Sequence, residues 1–114
     1  MFKVIKVDGK DVPMEANAAT PIRYRMVFHK NLDDFWTGQN TNRSETISEL
    51  AYIMAMAGEK ADMNQLSYDG FMDWLSAFSG TAFVNAFDEI FALYNGDAES
   101  EATPKKKVDE QNGK

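Results

Sequence analysis

A chain of 114 residues with a formal charge of -6 and a sequence pI near 4.7 has room for one domain and little more. That charge speaks against non-specific nucleic-acid binding, which needs Lys and Arg to neutralise phosphates. The lack of cysteine excludes disulfides, thiolate metal sites and a Cys nucleophile.

Residues 2–15 read as a β-hairpin. Phe2, Val4 and Val7 alternate with polar partners, Asp8-Gly9 supplies a tight turn, and Asp11-Val12-Pro13-Met14 returns. Pro13 cannot donate to a ladder, so the second strand is expected at a sheet edge, free to pair with another copy in a homo-oligomer. Thr20-Pro21 reads as a helix start, Thr20 as N-cap and Pro21 in the first turn. The helix that follows, to about Leu32, is expected to turn Ile22, Met26 and Phe28 inward. Residues 33–42, with Gly38, Asn40 and Asn42, read as a loop that carries an aromatic anchor in Asp34-Phe35-Trp36.

Asn42 and Glu45 resemble a capping box for a second helix, along which Ile47, Leu50, Ala51 and Met54 fall at helical spacing. Ile53 and Met56 lie off that stripe, which implies a central position or a partner; Gly58 is the expected end. A third helix, Tyr68 to Phe78, carries Phe71, Trp74, Leu75 and Phe78. Ser79-Gly80 breaks the pattern, and a fourth helix carries Phe83, Phe87, Ile90, Phe91 and Tyr94 until Asn95-Gly96. The two aromatic helices should fold back on each other. The apolar run Leu50 to Ala57 is too short to span a membrane, which takes about 20 residues. Residues 97–114 hold Val108 as their one large aliphatic side chain, so a disordered charged tail is expected. The expected architecture is a mainly α single domain of about four helices, residues 1–96, with an N-terminal hairpin.

Residues with chemical potential are few. His29 is the single histidine, and no metal-ligand spacing surrounds it. Ser44, His29 and Asp33 make a triad only on paper, because no nucleophile-elbow pattern frames a serine. The glycines are scattered, so no phosphate-cradling loop exists. Adjacent carboxylates such as Asp33-Asp34 and Asp88-Glu89 would point about 100° apart on a helix, unsuited to sharing a proton. The expectation is a binding protein with no catalytic residue, metal or cofactor. Met54, Met56, Met63 and Met72 suit either core filling or an adaptable binding groove. Arg23 and Arg25, flanking Tyr24, suit either surface charge balance or a bidentate grip on a partner carboxylate.

The Val7-Asp8-Gly9-Lys10 turn followed by Ala19-Thr20-Pro21-Ile22-Arg23-Tyr24-Arg25 resembles the opening of tail assembly chaperones from siphophages of Gram-positive hosts. The aromatic helices and charged tail are also similar, although only residues 7–25 are distinctive in wording. Such proteins often continue with Phe-Gly-basic-acidic-Leu; here the text is Phe28-His29-Lys30-Asn31-Leu32, which leaves the end of the first helix open. The resemblance implies a protein of the host cytoplasm that coats the tape measure protein and promotes polymerisation of the tail tube. It further implies departure before the virion matures; the acidic charge and the short apolar run add the expectation of no nucleic-acid and no membrane partner. It also implies a minority frameshifted longer form; Lys105-Lys106-Lys107, necessarily encoded by an A-rich stretch, suit either its slippery site or an ordinary basic patch in the tail. Apolar residues off the core stripes, Ile53, Met56 and Met72, are then the expected partner contacts, with Trp36 as a rim anchor and Arg23 and Arg25 beside them. A head–tail connector or other virion component, and a DNA-mimicking inhibitor, are the rival readings. The acidic residues are spread along the whole chain, which disfavours the mimic.

Overall fold

A computed structural model of the protein describes residues 1–32 and 43–96. The loop reading of 33–42 with Trp36, the Asn42 half of the capping box, and the tail 97–114 with Lys105-Lys106-Lys107 lie outside the described residues. The fold is mainly helical with an N-terminal two-stranded hairpin.

Strands β1 (Phe2–Val7) and β2 (Lys10–Glu15) pair antiparallel, with Val7 opposite Lys10 and Ile5 opposite Val12. Asp8 and Gly9 have φ of 59° and 79°, the two positive values that a tight two-residue hairpin turn requires. Opposed residues share a face, so this register gathers Ile5, Val7, Val12 and Met14 on one side, and all four are buried. The core face is therefore not the Phe2–Val4 face expected from alternation. That other side carries Pro13 and the Lys6–Asp11 ion pair at 3.0 Å, and offers less apolar surface to bury.

Helix α1 (Thr20–Phe28) buries Thr20, Tyr24 and Phe28, one residue per turn, and leaves Ile22 and Met26 more than half exposed. The inward reading of Ile22 and Met26 is thus corrected: the bulkier aromatic pair, whose rings lie 5.2 Å apart, takes the core face. Thr20 is not the N-cap. It opens the helix after Ala19, and its Oγ1 accepts the Asn17 N–H at 2.9 Å. The helix stops at Phe28 because His29 turns left-handed, with φ 59°, and its N–H donates to the Arg25 carbonyl at 2.8 Å. A glycine is the usual occupant of that conformation.

Helix α2 (Arg43–Gly58) is the centre of the molecule. Every residue from Thr46 to Ala55 is buried, because the hairpin, α1 and all the later helices pack around it. Full burial of Ile47, Leu50, Ile53 and Met54 contributes about 1.5–3 kcal/mol each. The helix closes with a Schellman arrangement: the Ala61 N–H donates to the Met56 carbonyl at 2.9 Å and the Lys60 N–H to Ala57 at 3.1 Å. The helix ends at Gly58, as expected, although Lys60, with φ 58°, and not the glycine takes the left-handed position. Gly58 also permits close approach, since a Cβ there would lie 2.4 Å from the Pro13 carbonyl oxygen of β2.

A single 3-10 turn, Met63–Gln65, leads to α3 (Tyr68–Leu75), capped by the Ser67 hydroxyl, which accepts the Gly70 N–H at 3.0 Å. This helix is three residues shorter than the periodicity predicts. The expected fourth helix is two: α4 (Ala82–Asn85) and α5 (Phe87–Asn95), broken at Ala86. Ala82, Phe83, Ala86, Ile90 and Leu93 are buried, whereas Phe87, Phe91 and Tyr94, expected inward, are only partly so. Gly96, at φ 79°, ends α5. Helices α3 and α4 do fold back on each other, with Trp74, Phe78 and Phe83 in mutual contact at centroid distances of 5.1–5.3 Å.

Candidate functional site

Helix α3 is amphipathic, and only part of its apolar face reaches the core. Phe71 is buried, while Tyr68 and Met72 remain 52% and 45% exposed. Val84 of α4, also 52% exposed, faces the same space. Between these residues and the first turns of α2 lies an open groove of about 370 Å³. Its apolar lining comes from Tyr68, Met72, Leu75, Phe78, Phe83 and Val84, and its polar rim from Ser44, Glu45 and Ser48. A second hollow of about 440 Å³ lies between the end of α1 and Leu66, Ser67 and Tyr68. Tyr68 and Glu45 line both, so the two hollows adjoin. Met26, Tyr68, Met72 and Val84, four of the exposed large apolar side chains, border this surface.

Two polar devices set the shape of the surface. At the floor of the second hollow the Glu49 carboxylate, 1% exposed, accepts the Tyr24 hydroxyl at 2.7 Å and the Lys30 ammonium at 3.0 Å. A buried carboxylate needs such partners, because desolvating it alone would cost several kcal/mol. Burial and the neighbouring Glu49 carboxylate push the Tyr24 phenol far above its ordinary value. For Lys30, burial pulls the ammonium down, but hydrogen bonds and charge from Glu49 and Glu45 outweigh it and leave the value raised. The cluster ties α1 to α2 at one end of the surface.

At the other end, the hairpin turn grips the turn between α3 and α4. The Asp8 carboxylate accepts the Ser79 N–H at 2.8 Å and the Ser79 hydroxyl at 3.0 Å, and these bonds hold its pKa below the ordinary carboxylate value. Lys10 donates to the Ala77 carbonyl and stands 4.9 Å from the centroid of the Phe78 ring. The Val7-Asp8-Gly9-Lys10 turn and the Tyr24 of the Arg-Tyr-Arg triplet, the distinctive words of the sequence, therefore both brace this surface.

No protein-family model, no curated protein and no solved structure matches this chain.

Of the residues singled out from sequence, the structure places Met72 on the groove wall, half exposed. Ile53 is corrected: at 1% exposed it belongs to the core, because α2 is enclosed on all sides and has no outer face at that position. Met56 packs against the core near the end of α2 and lines neither hollow. Arg23 is partly covered and Arg25 exposed on α1, and neither lines a hollow. Trp36 lies outside the described residues. His29 caps α1, and no cluster of three His, Cys, Asp or Glu suited to a metal occurs among the described residues. Likewise, no helix among them is long and apolar enough to cross a membrane. Sequence reasoning missed Tyr68, Glu45 and Val84. The signal for Tyr68 was present in the spacing Tyr68, Met72, Leu75, a second apolar stripe beside Phe71, Trp74 and Phe78. Val84 carried no such signal, since it lies off the apolar stripe expected along the fourth helix.

Proposed function

We propose that this protein is a bacteriophage tail assembly chaperone that holds amphipathic helical segments of a tape measure protein in the groove bounded by α2, α3 and α4. The observation that carries the binding role is that groove: exposed Tyr68, Met72 and Val84 around an open apolar hollow with a polar rim. It suits the helix-in-groove mode, in which apolar anchors at helical spacing seat into a hydrophobic channel. The thioether of Met72 adapts to varied partner side chains, as a protein that coats a long partner requires. The phage role is supported by the wording of residues 7–25, whose resemblance to such chaperones is described above.

In this reading the protein works in the host cytoplasm, keeps its partner soluble, promotes polymerisation of the tail tube and is absent from the finished particle. It does so without cofactor or covalent chemistry. A longer frameshifted form of itself and the tail tube protein are the further partners, and the chaperone acts as a monomer or a homo-oligomer.

The test is co-expression with the tape measure protein of the same phage, scored by the partner's soluble fraction and by co-purification. The partner should become soluble and elute with this chain. Met72→Glu should abolish the effect while circular dichroism stays unchanged, because Met72 is half exposed and supports little of the core. A partner that stays insoluble and unbound, with the longer form tested as well, would overturn the proposal.

A further inference from the structure

We propose that the groove selects an amphipathic helix of a partner protein whose apolar face is bordered by lysine or arginine. This rests on the reading of the groove as a partner-binding surface and names the chemistry of the segment it takes.

The observation is a charge asymmetry in the walls. Helices α3 and α4 come from residues 61–96, which contain Asp62, Asp69, Asp73, Asp88 and Glu89 and no Lys, Arg or His. Glu89 lies 3.7 Å from Lys3. Asp69 and Asp73 have no ion-pair partner among the described residues. At about 100° per residue, both stand on the flank of α3 beyond Met72, next to the Tyr68–Met72–Leu75 face that lines the groove. The opposite rim, from α2, contributes Glu45, whose side chain is half exposed and shared with Lys30 at 3.7 Å.

A helix laid on Tyr68, Met72 and Val84 thus has carboxylates along both of its flanks. Lysine or arginine there would run its aliphatic stem over the apolar rim and bring its charge to Asp69, Asp73 or Glu45. The exposed Tyr68 ring offers a cation a second favourable contact. Glutamate or aspartate at the same positions would meet like charge, which costs affinity and slows encounter.

The test uses the full chain and two synthetic peptides with identical apolar positions at helical spacing, one with Lys and the other with Glu at the flanking positions. Binding is measured by fluorescence anisotropy at low and high salt, and the mass of the chain is followed over the same concentrations. The Lys peptide should bind on the order of 10-fold more tightly at about 50 mM salt. That advantage should shrink at about 0.5 M, where charges are screened within a few ångströms. The double variant Asp69→Asn, Asp73→Lys, with unchanged circular dichroism, should narrow or reverse the preference, and Met72→Glu should weaken both peptides. Equal affinity for the two peptides would overturn the charge selection while leaving the groove as a docking site. Binding of neither would overturn the docking reading itself. A concentration-dependent dimer that the Lys peptide fails to dissociate would assign the groove to a second copy and overturn the proposal.

Discussion

Tyr24 illustrates how a single side chain connects a sequence motif to the shape of a surface. Its ring packs on Phe28 and its hydroxyl neutralises part of the cost of burying Glu49. Tyr24→Phe keeps the ring and deletes the donor, so the carboxylate retains Lys30 but loses its shorter bond. The expected loss is about 1–3 kcal/mol in urea denaturation. The pH dependence follows from the raised values of Tyr24 and Lys30, whose protons the folded state holds more tightly than the unfolded chain does. Their contribution is complete below the ordinary values of 10.0 for the phenol and 10.5 for the ammonium, and fades as pH rises above them. Stability should therefore fall from about pH 10 upward, and more gently in the Tyr24→Phe variant. A slope unchanged by that substitution would show that the cluster is not the source.

At the scale of the element, the crossing of α2 over β2 depends on Gly58. In an exposed helix a Gly→Ala change stabilises by about 1 kcal/mol. Here the added methyl would lie 2.4 Å from the Pro13 carbonyl and 2.8 Å from the Met14 nitrogen, both backbone atoms that have little room to yield. Gly58→Ala should accordingly destabilise, by about 1–3 kcal/mol, and the reversal of sign in a thermal melt is the readout. The same element logic explains α3. One face meets Tyr52 of α2 through Phe71 and Trp74, at centroid distances of 5.6 Å each. The other has nothing of its own chain among the described residues to cover Tyr68 and Met72 fully. An amphipathic helix whose apolar face is only partly covered is the local origin of the groove.

For the whole molecule, the enclosure of α2 predicts a gradient of local stability. Amides between Ile47 and Ala55 should exchange with deuterium only through global unfolding, since every one of those residues is buried. Amides of α4, a four-residue helix at the groove wall, should exchange faster through local opening. Hydrogen exchange read by mass spectrometry would check this order, and uniform protection across α2 and α4 would contradict it. A wall that opens locally while the centre stays closed is also suited to admitting partner helices of different bulk.

The hairpin was legible because its determinants are local: Asp8-Gly9 supports positive φ at both turn positions, and the two-residue loop then dictates which residues oppose each other. The central place of α2 was legible in its apolar residues off the main stripe, and the stop at Gly96 in the glycine itself. Which face of the hairpin turns inward was not, because both sides carry apolar residues and only packing against α2, α4 and α5 chooses between them. The orientation of α1 was legible in Phe28 alone; Tyr24 joined it in place of Ile22 and Met26, and the pair reaches Glu49, Tyr52 and Phe71 on other elements. The groove was half legible, through Met72, and the rest of its lining arose from a turn held by Asp8 and a break at Ala86 that no local residue marks. Turn chemistry and periodicity act between near neighbours in sequence, whereas the covering of a face depends on which distant element arrives to bury it, and that only the tertiary structure decided.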